Sequence, residues 1–235
     1  MAGDFRRRAV AVTAYAVAMG YAEAAVVAYL RALYGISDLL RDVPARPDAL
    51  SWVELGREAA TLAMLAAVGQ AAGHTRPSRW GAFLYAWGVW DLAYYGWLRV
   101  LVGFPKSLAE WDLLFLIPLP WWAPVWAPVL AAILLAWFGA AVAARGEAGL
   151  PVRVDAGSIG LACAGSVAAL AAVMAPALTR LGEGWQAAVA ARPEGFPWGL
   201  YLAGWTAVAW ASWRVGTGRN LGADRLRELR ARARL

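Results

Sequence analysis

Six ionisable residues fall where a chain this apolar tolerates them least: Glu23, Glu54, Arg57, Glu58, Asp91 and Arg99 each lie inside or at the edge of a long hydrophobic run. A charge at the centre of a membrane helix costs about 2.5–3.5 kcal/mol on insertion scales, so such residues must find partners or serve a ligand. Four carboxylates against two guanidiniums leave an acidic surplus that a proton or a cation must balance. Proton-coupled exchange is one use of such a surplus.

Spacing gathers these groups onto helix faces. At about 100° per residue, Glu54, Arg57, Glu58 and Thr61 share one arc of roughly 100°. Asp91 shares a face with Trp87, Tyr94 and Tyr95, and Arg99 lies one turn beyond Tyr95. Glu23 shares its face with Met19, Leu30 and Tyr34, with Arg31 at the margin. Asp112 follows in a Trp- and Pro-rich stretch, which completes a candidate ligand- or ion-binding set of Glu23, Glu54, Arg57, Glu58, Asp91, Tyr95, Arg99 and Asp112.

Three chemistries suit that set. Ion pairs such as Glu58 with Arg99 and Glu54 with Arg57 would pin helices together. A cavity could hold a cation or small polar ligand on its carboxylates, although the fixed spacings of a metal loop are absent and no metal is assigned. An anion such as a lipid phosphate could use Arg57, Arg99 and Lys106. A membrane enzyme acting on lipid would need Glu or Asp as general base, and no residue is assigned a catalytic role. The single histidine, His74, cannot supply both axial ligands of a bis-His haem or, from its basic turn, a Ser-His-Asp triad. Gly157-Ser158-Ile159-Gly160 has no histidine in a later span to activate its serine, so Ser158 is read as packing, and the cofactor is unknown.

The elements that must position these residues are transmembrane helices. The chain is 61% hydrophobic with 15 Trp and only 16% charged residues, against about 25% charged in soluble domains. Apolar runs predict an all-α polytopic bundle of about six spans, at 9–33, 52–73, 80–102, 124–144, 156–178 and 198–213, in a single domain over 1–213. Arg6 to Arg8 before an apolar run resemble a signal peptide, but the run continues to Leu30 and reads as an uncleaved first helix. Between the first two spans, Ser37 to Ser51 reads as a loop with one short surface helix, carrying Pro44, Pro47, Asp38, Asp42 and Asp48. Pro118, Pro120, Pro124 and Pro128 argue against a regular helix before span four. Trp111 to Trp122 is therefore expected to be a re-entrant or interfacial segment closing the site from outside with Lys106, Glu110 and Asp112.

Charge asymmetry sets the orientation. Arg6 to Arg8, Arg76, Arg79, Arg145, Arg153 and the arginines from Arg214 onward fall on one side, making 14 of the 22 basic residues. Both termini are expected in the cytoplasm, with 214–235 a basic tail against the inner leaflet. Lys106 is the only lysine, and this arginine and alanine bias suggests a GC-rich bacterial genome and hence an inner membrane. The charge follows the spans, so nucleic acid is excluded and the bilayer is the expected partner. Stripes of small residues, Gly160, Ala164, Ala168 and Ala172 in span five and Gly199, Ala203, Ala207 and Ala211 in span six, suit close helix packing or contact with a membrane-protein partner or second copy. A non-catalytic subunit of a larger membrane complex is thus the rival to the ligand-binding reading. Trp52, Trp80, Trp111, Trp121, Trp122, Trp185, Trp198 and Trp213 are expected at the interfaces.

Overall fold

A computed structural model describes residues 2–42, 49–116 and 118–221. The chain is mostly helical, at 77%. The helices are α1 (Ala2–Tyr34), α2 (Leu39–Asp42), α3 (Ala49–Ala72), α4 (Arg76–Val102), α5 (Trp126–Glu147), α6 (Ala156–Val173), α7 (Ala175–Arg180), α8 (Trp185–Ala190) and α9 (Trp198–Thr217). The six long ones coincide with the apolar runs. Three stretches, Phe5–Tyr34, Trp126–Glu147 and Ala156–Val173, are long and apolar enough to cross a membrane. In α3 and α4 charged side chains lower the mean hydropathy, and α9 carries Trp198, Trp205, Trp210 and Trp213.

Local chemistry fixes the ends. Thr75 caps α4 in a reciprocal capping box with Ser78, Pro77 occupies the first turn where no backbone donor is needed, and Gly103 closes the helix at φ 71°. Asp155 caps α6, accepting from the Ser158 backbone at 3.0 Å and the Ser158 hydroxyl at 2.8 Å, so Ser158 is a buried capping partner. Those two bonds, the hydroxyl's first, hold the Asp155 carboxyl below its ordinary range.

Helix packing follows from missing side chains. On α4, a Cβ at Gly81 or Gly88 would collide with the α5 backbone, and one at Gly139 of α5 would collide with that of α4. These two helices therefore touch backbone to backbone and form the spine of the molecule. Helices α1 and α3 pack on one side of α4, while α9 packs on α5 and carries α6. The α6–α9 contact runs through Gly165 and Gly204, each of which would place a Cβ 2.5 Å from the other's carbonyl oxygen. The expected stripes meet this contact in part: Ala168 and Ala207 lie beside the two glycines, and Ala172 and Ala211 are buried. Gly160 and Gly199 at the stripe ends face open space, because small residues surround both helices and sequence spacing alone does not choose the face.

Arginine-bearing ends converge. Arg8 of α1 reaches Glu147 at the end of α5 at 2.5 Å and also bonds the Ala72 carbonyl. The His74 backbone and its Nδ1 lie 3.1 and 3.2 Å from the same carboxylate. Arg145 donates to the carbonyls of Thr217 and Pro151, and Arg214 lies 3.5 Å from Asp155. Six helix ends therefore meet at one end of the bundle. The hydrogen bond from Arg8, assisted by those from His74 and Ser78, holds Glu147 well below the usual carboxylate range.

One expectation is given its form and two others are corrected here. Trp111 to Trp122 is irregular, as its prolines require, and is built as a hairpin: β1 (Trp111–Leu113) pairs antiparallel with β2 (Trp122–Pro124), Asp112 opposite Ala123. Prolines 118 and 120 sit in the connection, where no ladder donor is required. Trp122 is consequently buried at 1% exposure, with Arg192 over its ring, and is no interfacial anchor. The fifth run does not continue unbroken to residue 178, because α6 ends before Met174 and Pro176 opens the separate α7. Between the first two spans, α2 is the expected short helix; Pro44, Pro47 and Asp48 lie outside the described residues, as does the tail beyond residue 221.

Candidate functional site

A cavity of about 340 Å³ lies between the α1, α3 and α4 side of the molecule and the α5, α6 and α9 side, against the hairpin. Six of the eight candidate residues line it: Glu23, Arg57, Glu58, Asp91, Tyr95 and Asp112. Helical spacing places them there. Glu23 is buried on the face of α1 that also buries Met19, and Glu58 and Thr61 are buried on the inner face of α3. On α4 the i, i+3, i+4 row carries Trp87, Trp90, Asp91, Tyr94 and Tyr95 to the cavity. Strand alternation turns Asp112 inward at 5% exposure while its neighbours Trp111 and Leu113 stay half-buried.

The polar groups fall into three arrangements. Arg57 pairs with Glu54 at 2.9 Å through both Nε and Nη2, and with Glu23, which also accepts from the Thr61 hydroxyl. Asp112 accepts from the Tyr95 hydroxyl at 2.8 Å and from the Leu113 backbone at 3.0 Å. The Oε2 of Glu58 is buried with no hydrogen-bond partner among the described residues. Glu54 itself stands outside the cavity, holding Arg57 from the half-buried side.

Arg99 does not join the set. Its guanidinium is exposed and donates to the carbonyls of Gly103 and Pro105, so the expected Glu58–Arg99 pair is replaced by a C-terminal cap of its own helix. Lys106 is exposed too, and its backbone N–H donates to Glu110 at 2.5 Å. The anion-binding trio of Arg57, Arg99 and Lys106 is therefore dispersed. Arg31 is the other cation nearby; it stacks 4.1 Å from the Phe104 ring centroid, and its field reaches Asp112. Five carboxylates, Glu23, Glu54, Glu58, Asp91 and Asp112, thus stand against two guanidiniums, Arg57 and Arg31.

Half of the site was invisible to charge-based reasoning. Helices α5, α6 and α9, which read as scaffold, supply a wall that includes Leu135, Ala169, Leu170, Tyr201 and Trp205, and the hairpin adds Trp121. Tyr201 is fixed by donating to the Ala127 carbonyl at 2.6 Å. The i, i+4 spacing of Tyr201 and Trp205 was the available signal, an aromatic row on a helix otherwise striped with small residues. Among the described residues no group of His, Cys, Asp and Glu is placed to hold a metal ion. No family model, no curated protein and no solved structure matches the chain.

Proposed function

We propose that this is a six-span membrane protein that binds or transports an ion or small polar ligand at the carboxylate-rich cavity, which faces the extracytoplasmic side. The observation that carries this reading is the cavity itself: about 340 Å³, lined among the described residues by four carboxylates and one arginine. Charges retained only to pin helices would be expected to close on one another, since an unpaired buried carboxylate is costly. The convergence of arginine-bearing helix ends at the opposite end of the bundle supports a cytoplasmic location for that end and for both termini, in a bacterial inner membrane. Six long helices with alternating direction support six crossings.

Hydration of the cavity is the test. In a chain with Cys163 replaced by Ala, cysteine at Leu114, on the cavity wall, should react with a charged thiol reagent added from the extracytoplasmic side. Cysteine at Leu65, which is fully buried between α1, α3 and α4, should not. Failure of both to react would mean a dry helix interface and sink the proposal.

A further inference from the structure

The cavity is chemically two-sided. On one side stand Glu58, Asp91 and Asp112 with the rings of Trp90, Tyr94 and Tyr95, the last two 5.1 Å apart between centroids. On the other are the aliphatic side chains of α5 and α6. Glu58 is only 7% exposed, yet among the described residues its Oε2 has no partner, and the indole N–H groups of Trp90 and Trp121 are likewise buried without one. Buried polar atoms of this kind call for a partner such as water or a ligand.

We propose that the ligand is an amphiphilic organic cation: an ammonium group held by Glu58, Asp91 and Asp112 among aromatic faces, on an apolar body lying against α5 and α6. This rests on the polar-site reading above and narrows it to one class. Charge selects the sign: Arg57 is already committed between Glu23 and Glu54, Arg31 stacks on Phe104 outside the lining, and among the described residues no other arginine or lysine lines the cavity, which four carboxylates do. Electron-rich ring faces beside carboxylates suit an ammonium, as in the aromatic cages that recognise quaternary amines. Volume argues against a bare ion. A cavity of about 340 Å³ has room for many waters, which would have to be held around a metal cation against largely apolar walls. It falls instead at the lower end of the range for organic ligands, roughly 300–1,000 Å³. A hydroxyl or carbonyl oxygen on the same ligand would satisfy the Trp90 and Trp121 N–H groups.

Entry from the bilayer fits the same chemistry. Helices α3 and α6 both line the cavity but share no extensive contact among the described residues, and the cavity-lining Ser166 of α6 is exposed. The ammonium could thus belong to a free amine or to a lipid headgroup.

The test uses the full chain in dodecyl maltoside, with 2-phenylethylammonium as probe, read by quenching of tryptophan emission and by calorimetry. Saturable binding at least tenfold tighter than that of neutral 2-phenylethanol or anionic phenylacetate is expected. Glu58→Gln, Asp91→Asn and Asp112→Asn should each weaken it tenfold or more, while Glu183→Gln, at an exposed pair with Arg180, leaves it unchanged. The three near-isosteric variants are independent, so loss of one to misfolding leaves the others decisive. Repetition in phosphatidylglycerol nanodiscs with and without phosphatidylethanolamine assigns the source: competition by the second lipid identifies a headgroup amine, and its absence a free one. Equal binding of the alcohol, or preference for phenylacetate, overturns the organic-cation class while labelling at Leu114 still upholds a polar site. No binding by any probe, with Leu114 unlabelled, overturns both.

Discussion

Replacing Arg57 by Met removes the guanidinium that joins α3 to α1. In the native chain it holds Glu54 at 2.9 Å and contacts Glu23, whose side chain is only 5% exposed. Without it Glu23 keeps the Thr61 hydroxyl alone. Breaking a buried pair by deleting one partner costs about 3–5 kcal/mol, because the remaining charge stays desolvated. The Glu54 contact is part-buried, with its carboxylate 17% exposed, and lies nearer to the exposed pairs worth about 0–1 kcal/mol than to the buried one. At about 2–4 °C per kcal/mol for a domain of this size, Arg57→Met should lower the melting temperature by about 6–20 °C and Glu54→Gln by at most about 4 °C. The assay is unfolding in detergent followed by tryptophan emission, with a double-mutant cycle to isolate the pair. Glu23→Gln with Arg57→Met should recover much of the loss, giving a coupling of about 2–3 kcal/mol. Coupling under about 0.5 kcal/mol would refute the view that this buried pair ties α1 to α3.

Gly139→Leu should be more damaging than a surface change on α5, since its side chain would enter the α4 backbone near Tyr85. Overpacking costs typically about 1–3 kcal/mol, and here no flexible neighbour can yield, so loss of the monodisperse peak in size-exclusion chromatography is expected. Glu147 is held below the usual carboxylate range by Arg8, so its contribution is fully present above the unfolded carboxyl value of about 4.3 and is lost as pH falls through the folded one. Glu147→Gln should therefore lower the melting temperature at pH 7, with a difference that shrinks below about pH 4; a pH-independent gap would contradict the clamp. Cysteines at Ser107 and Thr217 should label from opposite faces of the membrane, because the hairpin and the end of α9 lie at opposite ends of the bundle. Labelling of both from outside would break the six-span reading.

The polar faces of α3 and α4 were readable in the sequence because helical geometry converts spacing directly into a shared face. Glu58 with Thr61, and Asp91 with Tyr94 and Tyr95, needed no knowledge of neighbours. Arg99 was misassigned for the complementary reason. It lies on the same helix two turns beyond Asp91, but it stands in the last turn, where unsatisfied carbonyls compete for a guanidinium more closely than a carboxylate on another helix does. The stripe on α6 was legible only in part: Ala168 lies at the α9 contact but Gly160 does not, since Gly160 and Gly165 are equally small and only the position of α9 decides between them.

The helical runs, the arginine-rich end and the set of residues too polar for their surroundings can all be read along the chain, because hydropathy and periodicity are properties of short segments. That Asp112 is carried inward by a two-stranded hairpin, that Glu58 retains an oxygen without a partner among the described residues, and that α5, α6 and α9 close an apolar wall around the carboxylates emerges only when the chain is folded. Those features depend on which faces meet across long separations in the chain, and a backbone approach through Gly81, Gly88 and Gly139 leaves no more trace in the sequence than any other run of small residues.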